Sequence, residues 1–329
     1  MLLAMTTLAS ASSFVEPVEA AALSESRAFN AQLEGLLATQ PSVHTIPVDV
    51  VRRIRREGGG IFPAPVYLPR ARDLTIPGRA SALRLRVVAP ARAPAGVYLH
   101  LHGGGWTLGA ADQQDPALAA LADATGLVVV SVDYRLAPEH PFPAAPDDCE
   151  DAARWLVERG AAELGAPARF AIGGESAGAH LAVLTLLRLR APGGTSVFRG
   201  ANLVFGAFDL SMVPSARLWG DRNLILSAPI MEFFVANCLP GIDREARRAP
   251  SFSPLYADLR GMPPALFTVG TEDPLLDDSL FMAPRWRAAG ASATLRVWPE
   301  SIHGFTMFPL AIASAANRAQ EAFLRDVMG

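Results

Sequence analysis

Residues 173–180 read G-G-E-S-A-G-A-H and bring a carboxylate, a hydroxyl and an imidazole into eight positions. These are the groups of serine-based acyl transfer, in which a base takes the hydroxyl proton and a carboxylate orients that base. Within the stretch, Gly174-Glu175-Ser176-Ala177-Gly178 fits G-x-S-x-G, follows the apolar run R-F-A-I-G and opens a helical run. A sharp strand-to-helix turn with small neighbours lets a serine project, here beside the outward-pointing N–H groups of a helix start. Ser176 is therefore the expected nucleophile. Glu175 adjoins it on the turn and is expected to point away from the attack path. His180 lies one helical turn on and is expected to hydrogen-bond within the protein.

The expected partners lie further along the chain. T-V-G-T-E-D-P-L-L-D-D puts Asp273 just past an apolar run, and W-P-E-S-I-H-G-F puts His303 past the last one. The order Ser…Asp…His is one of the known orders of a serine triad, so Asp273 is read as the acid and His303 as the base. Glu272 should face the other way along the strand pleat. Asp277 and Asp278 are expected to cap or charge the following helix. The remaining histidines, His44, His100, His102 and His140, are read as structural, with His102 holding its own loop. That loop, His102-Gly103-Gly104-Gly105-Trp106, follows the run V-Y-L-H-L and leaves backbone N–H groups accessible, as an oxyanion site requires. A phosphate-cradling glycine loop would need a lysine or a G-x-G-x-x-G continuation, and neither is present.

The elements that must carry these residues are legible as alternating runs. D-L-T-I-P and A-L-R-L-R-V-V-A-P begin a series of short strands. G-V-Y-L-H-L-H, L-V-V-V-S-V-D-Y, R-F-A-I-G-G, A-N-L-V-F-G, A-L-F-T-V-G and A-T-L-R-V-W-P continue it. Most are continuously apolar, as strands covered on both faces are. Helical segments between them predict an α/β fold with a mostly parallel sheet. The catalytic domain is assigned to residues 71–329. Its alternation breaks at about 210–255, a Pro-interrupted apolar stretch expected to form a cap. Its Met212, Leu218, Trp219, Met231, Phe233 and Phe234 would offer an apolar ceiling for a substrate.

Residues 1–70 read as a helical cap segment, with helices expected over about 26–57 and the arginines of V-D-V-V-R-R-I-R-R-E on a solvated face. The Ala-rich leader is expected to be disordered or to form an amphipathic first helix. It lacks the basic region of a secretory signal, because its first positive side chain is Arg27. A cytoplasmic location is the expectation.

Composition narrows the function further. The 329 residues are 50% hydrophobic, so a large core is expected, and the net charge of −3 gives no footprint for nucleic acid. All 29 basic residues are arginine, which removes lysine-dependent phosphate or Schiff-base chemistry. Cys149 and Cys238 are too few for a disulfide framework or a Cys-rich zinc site. No metal, cofactor or membrane span is expected.

One further run, D-Y-R-L-A-P-E-H-P-F-P-A-A from Asp133 to Ala145, completes a pattern with H-G-G-G-W, G-E-S-A-G, D-P-L-L-D-D and H-G-F. Over about residues 73–329 the chain resembles the hormone-sensitive-lipase family of α/β-hydrolase esterases. The resemblance implies the α/β-hydrolase fold and a serine carboxylesterase acting on short- to medium-chain acyl esters. It also implies Ser176, Asp273 and His303 as the triad, and Gly103, Gly104 and Ala177 as backbone oxyanion donors. The Asp133–Ala145 run is then a structural support behind the active site. Trp106, Trp219, Phe233 and Phe234 become pocket candidates, and a homodimer through the last edge strand is conceivable for such a fold. Where the family often has G-D-S-A-G-G-N, this chain has Glu175 and His180, and Trp106 stands where Phe is common. These departures bear on substrate preference rather than chemistry. An amidase or formamidase on the same fold is the alternative reading. A non-catalytic receptor, like the plant gibberellin receptors of the family, would lack the histidine that His303 supplies.

Overall fold

G-V-Y-L-H-L and L-V-V-V-S-V lack polar alternation because both faces of each strand are covered. Every residue of β3 (Gly96–Leu101) and β4 (Leu127–Val132) is buried. In the computed structural model, which describes residues 14–190, 194 and 196–329, all eight expected runs are strands of one sheet. The others are β1 (Ala71–Pro77), β2 (Ala82–Val88), β5 (Phe170–Glu175), β6 (Phe198–Val204), β7 (Ala265–Glu272) and β8 (Ala293–Ile302). Their order is β1-β2-β4-β3-β5-β6-β7-β8. The two pairings of β2 are antiparallel and all others parallel. The C-terminal ends of β3, β5, β7 and β8 therefore share one rim, where an open α/β sheet presents its ligand site.

Among the described residues, ten α-helices cover this sheet and its rim. They are α1 (Ala20–Ala38), α2 (Val48–Glu57), α3 (Asp115–Thr125), α4 (Ala144–Trp155) and the short α5 (Ala161–Glu163). After Ser176 come α6 (Ala177–Leu189), α7 (Pro214–Leu218), α8 (Ala228–Cys238), α9 (Leu276–Ala288) and α10 (Ala311–Met328). No helix among the described residues is long and apolar enough to cross a membrane.

The leader expectation for residues 1–13 lies outside the described residues. From Phe14 the chain is tied to β8: Glu16 N–H donates to Val297 O at 2.8 Å, and Val297 N–H to Phe14 O at 3.2 Å. The edge strand imagined for a second copy is thus already hydrogen-bonded at Val297. α1 begins before the expected residue 26, and its buried positions are Ser26, Asn30 and Leu33. Asn30 Nδ2 donates to Glu300 O at 3.0 Å, so a polar side chain replaces part of the expected apolar contact.

The arginines of α2 form a solvated face only in part: Arg53 and Arg56 are exposed, whereas Arg52 and Arg55 are partly buried. Arg52 turns inward and donates to Thr107 O, Ala137 O and the Glu139 carboxylate, each at 2.8 Å. It thereby clamps the loop after β3 to the Asp133–Ala145 run. That run supports the same loop from the other side: Ala137 N–H donates to Trp106 O at 2.9 Å, and Tyr134 Oη to His102 O at 2.7 Å.

Candidate active site

Ser176 sits between β5 and α6 with φ 57° and ψ −120°, a conformation a non-glycine residue holds only at a cost of about 1–3 kcal/mol. The two flanking glycines have a steric cause. A Cβ at Gly174 would lie 2.0 Å from Leu101 O, and one at Gly178 would lie 1.9 Å from the same oxygen. Only glycine lets α6 start this close to the end of β3. The helix begins at Ala177, whose N–H has no intrahelical acceptor.

Three of the residues singled out above meet here. His303, just past β8, has Nε2 3.0 Å from Ser176 Oγ. Its Nδ1 lies 2.9 Å from Asp273 Oδ2. Asp273 Oδ1 accepts the Leu275 N–H at 2.8 Å, which fixes the carboxylate plane. Asp273 and His303 are both buried. Glu272 does face away and pairs with Arg222 at 2.7 Å. Asp277 and Asp278 lie in the first turn of α9 but reach across to the backbone of residues 208–215. Ser215 N–H donates to Asp277 at 2.8 Å, and the N–H groups of Phe208 and Asp209 both donate to Asp278. Burial pushes the Asp278 carboxyl well above its usual range, and the side chain anchors the Phe208 and Asp209 N–H groups.

The glycine loop requires a correction. Gly103 N–H is not free: it donates to Glu175 Oε1 at 3.1 Å. The same oxygen accepts Gln114 Nε2 at 2.7 Å, and Glu175 Oε2 lies 3.0 Å from His100 Nε2. Burial alone would raise this carboxyl. The His100 imidazole and the Gln114 and Gly103 donors outweigh it and bring the group down to about 2. Glu175 does turn away from Ser176, but toward the loop it was not expected to hold. Gly104, with φ 116°, and Gly105 follow, and neither N–H has an acceptor among the described residues. His102 Nδ1 lies 2.8 Å from Gly103 O and stiffens the turn.

Ser176 and His303 open into a cavity of about 580 Å³. Trp106, Met212, Met231 and Phe234 line it. Trp219 and Phe233 are not in its wall. Trp219 lies under the Arg222 guanidinium and donates Nε1–H to Arg222 O at 2.8 Å, while Phe233 packs against the Phe234 ring. Leu218 is 84% exposed and roofs nothing. Ile225 and Ile230 of the 210–255 stretch and Arg55 and Phe62 of the N-terminal segment also line it.

A family model described as alpha/beta hydrolase fold matches residues 98–307. The chain is 40% identical to the carboxylesterase NlhH of Mycobacterium tuberculosis over 225 residues, 67% of this chain and 70% of the relative. The chain belongs to the hormone-sensitive-lipase family of α/β-hydrolases. Another relative, the carboxylic ester hydrolase LipN of Mycobacterium tuberculosis, is 38% identical over 78% of this chain and 70% of its own. Among solved structures, the esterase of Pyrobaculum calidifontis superposes with a TM-score of 0.78 at 30% identity, covering 94% of this chain and 99% of that one. A thermostable esterase from Pseudomonas putida gives a TM-score of 0.81 at 26% identity, covering 93% and 97%.

In this α/β-hydrolase, His180 ties three elements together. Its Nδ1 accepts Trp106 Nε1–H at 3.1 Å, and its Nε2 faces Phe252 O at 2.7 Å. The ring must therefore be neutral with its proton on Nε2, and burial takes its pKa down to about 4. Unfolding releases it to an ordinary histidine, so the unfolded chain binds the extra proton as pH falls below about 6.5. The stabilisation is complete above that pH and shrinks by about 3 kcal/mol by pH 4. Burial lowers His102 too, and Asp278 acts in the opposite sense over part of this window. The diagnostic is thus the difference between variants. Urea titrations from pH 7 to 4 should give His180→Asn a flatter loss of stability than the native chain, with turnover at pH 7 largely intact. Parallel curves would remove His180 from the account.

Proposed function

We propose that this chain is a carboxylic ester hydrolase in which Ser176 is the nucleophile, His303 the general base and Asp273 its orienting acid. The observation that carries the reading is the continuous Asp273–His303–Ser176 hydrogen-bond chain, 2.9 and 3.0 Å per link, at the wall of a cavity. The esterase names of the relatives support the substrate class. His303 Nε2 takes the Ser176 proton as Oγ bonds to the ester carbonyl carbon. The carbonyl π electrons move to oxygen, and the imidazolium is held by Asp273. Gly104, Gly105 and Ala177 supply the backbone donors for that oxyanion, Gly103 being committed to Glu175. Collapse expels the alkoxide, which leaves with the proton from His303. Water, deprotonated by His303, then releases the acid and restores Ser176.

The test is a fluorophosphonate probe, expected to label Ser176 alone and stoichiometrically. An unlabelled folded protein would overturn the reading. The substrates are short- to medium-chain acyl esters, supported by the limited cavity and its apolar Met212, Ile230, Met231 and Phe234. A p-nitrophenyl ester series should peak well below about twelve acyl carbons, and a peak at or beyond that length refutes the chain-length assignment.

A further inference from the structure

Arg55 stands in the cavity wall with no acid against it. Its guanidinium carbon lies 4.8 Å from the centre of the Phe62 ring, and both residues line the chamber that holds Ser176 and His303. Its neighbours on the same surface are spoken for: Arg52 pairs with Glu139 at 2.8 Å, and Arg84 with Asp112 and Asp133 at 3.0 Å. Arg55 makes no ion pair or side-chain hydrogen bond among the described residues. It also borders a second cavity of about 190 Å³ lined by Arg52, Arg56 and Arg84, whose only acid, Asp112, is the one Arg84 holds.

Neither structural role of an arginine accounts for this. A cation in the last turn of α2 favours the helix dipole, but Arg56 is there as well, exposed to solvent. The Phe62 ring attracts the guanidinium face, yet it satisfies none of the in-plane N–H donors. Burial lowers the Arg55 pKa to about 10, which still leaves it charged at neutral pH. A half-buried cation with unmet donors facing a substrate chamber is a receptor for a planar anion.

We propose that Arg55 makes this enzyme select esters that carry a carboxylate away from the scissile bond, the guanidinium holding that group while Ser176 attacks the ester. The inference rests on the ester-hydrolase reading above.

Matched substrates test it. Ethyl hydrogen succinate against diethyl succinate places the charge on the acyl side. Acetoxyacetate against ethyl acetoxyacetate places it on the alcohol side. In at least one pair, the anionic-to-neutral ratio of kcat/KM should fall about tenfold or more in Arg55→Met, with Arg55→Lys in between. An unchanged ratio in both pairs overturns the proposal. A measurement on the native chain guards against a variant that fails to fold. Glutarate should compete with p-nitrophenyl acetate at least about tenfold more strongly than glutaramide, and equal or absent competition also overturns the proposal. If the native chain hydrolyses the neutral esters but the ratio ignores Arg55, this inference alone fails. If it hydrolyses no ester, the proposed function fails with it.

Discussion

Ser176→Ala is expected to lower kcat for p-nitrophenyl butyrate by about 10⁴–10⁶-fold while leaving the fold intact. Without Oγ there is no acyl-enzyme, and what remains is whatever the proposed oxyanion donors Gly104, Gly105 and Ala177 contribute by polarising the carbonyl for direct attack by water. Ser176→Gly should be equally inactive but more stable. At φ 57° and ψ −120° the serine projects from the turn at a cost in backbone strain, which glycine relieves. A thermal melt separates the variants: glycine above serine, alanine close to it. Near-native turnover by either variant would mean that another nucleophile operates.

The strands and the residues at their C-terminal ends were legible because the relevant signals are local. Continuous apolar runs become buried parallel strands, and a parallel sheet sends Ser176, Asp273 and His303 to one rim whatever the loops do. The Glu175–Gly103 hydrogen bond was not legible. It depends on the register that puts Leu101 opposite Gly174, which sets the glycine loop beside the Glu175 side chain. Within the 210–255 stretch the spacing did not separate one apolar residue from the next. α8 reads A-P-I-M-E-F-F-V-A-N-C, apolar on several faces, so spacing alone could not say that Phe234 faces the chamber and Phe233 does not. The arginines of α2 carry the same limitation. Arg52 finds its partners 55 to 87 residues away, and nothing in the helix itself separates it from Arg53 or Arg56.

Asp273→Asn should cost about 10⁴ in kcat with little change in stability, and the reason is tautomeric. Asp273 uses both oxygens, Oδ1 for the Leu275 N–H and Oδ2 for His303 Nδ1. An asparagine has one carbonyl, and the Leu275 N–H will claim it. The amide NH₂ is then turned toward His303, where it donates to Nδ1 and drives the imidazole proton onto Nε2. Ser176 Oγ, 3.0 Å from Nε2, would face a donor instead of a base. Proton transfer stops although every distance is preserved. The fluorophosphonate labelling rate should fall in parallel with ester turnover, since both need the same deprotonation. No nearby acid can substitute. Asp277 and Asp278 are bonded to the backbone of residues 208–215, and burial raises the Asp278 carboxyl well above its usual range. A loss smaller than about tenfold would therefore mean that His303 is oriented without Asp273, and the proposed triad would be wrong.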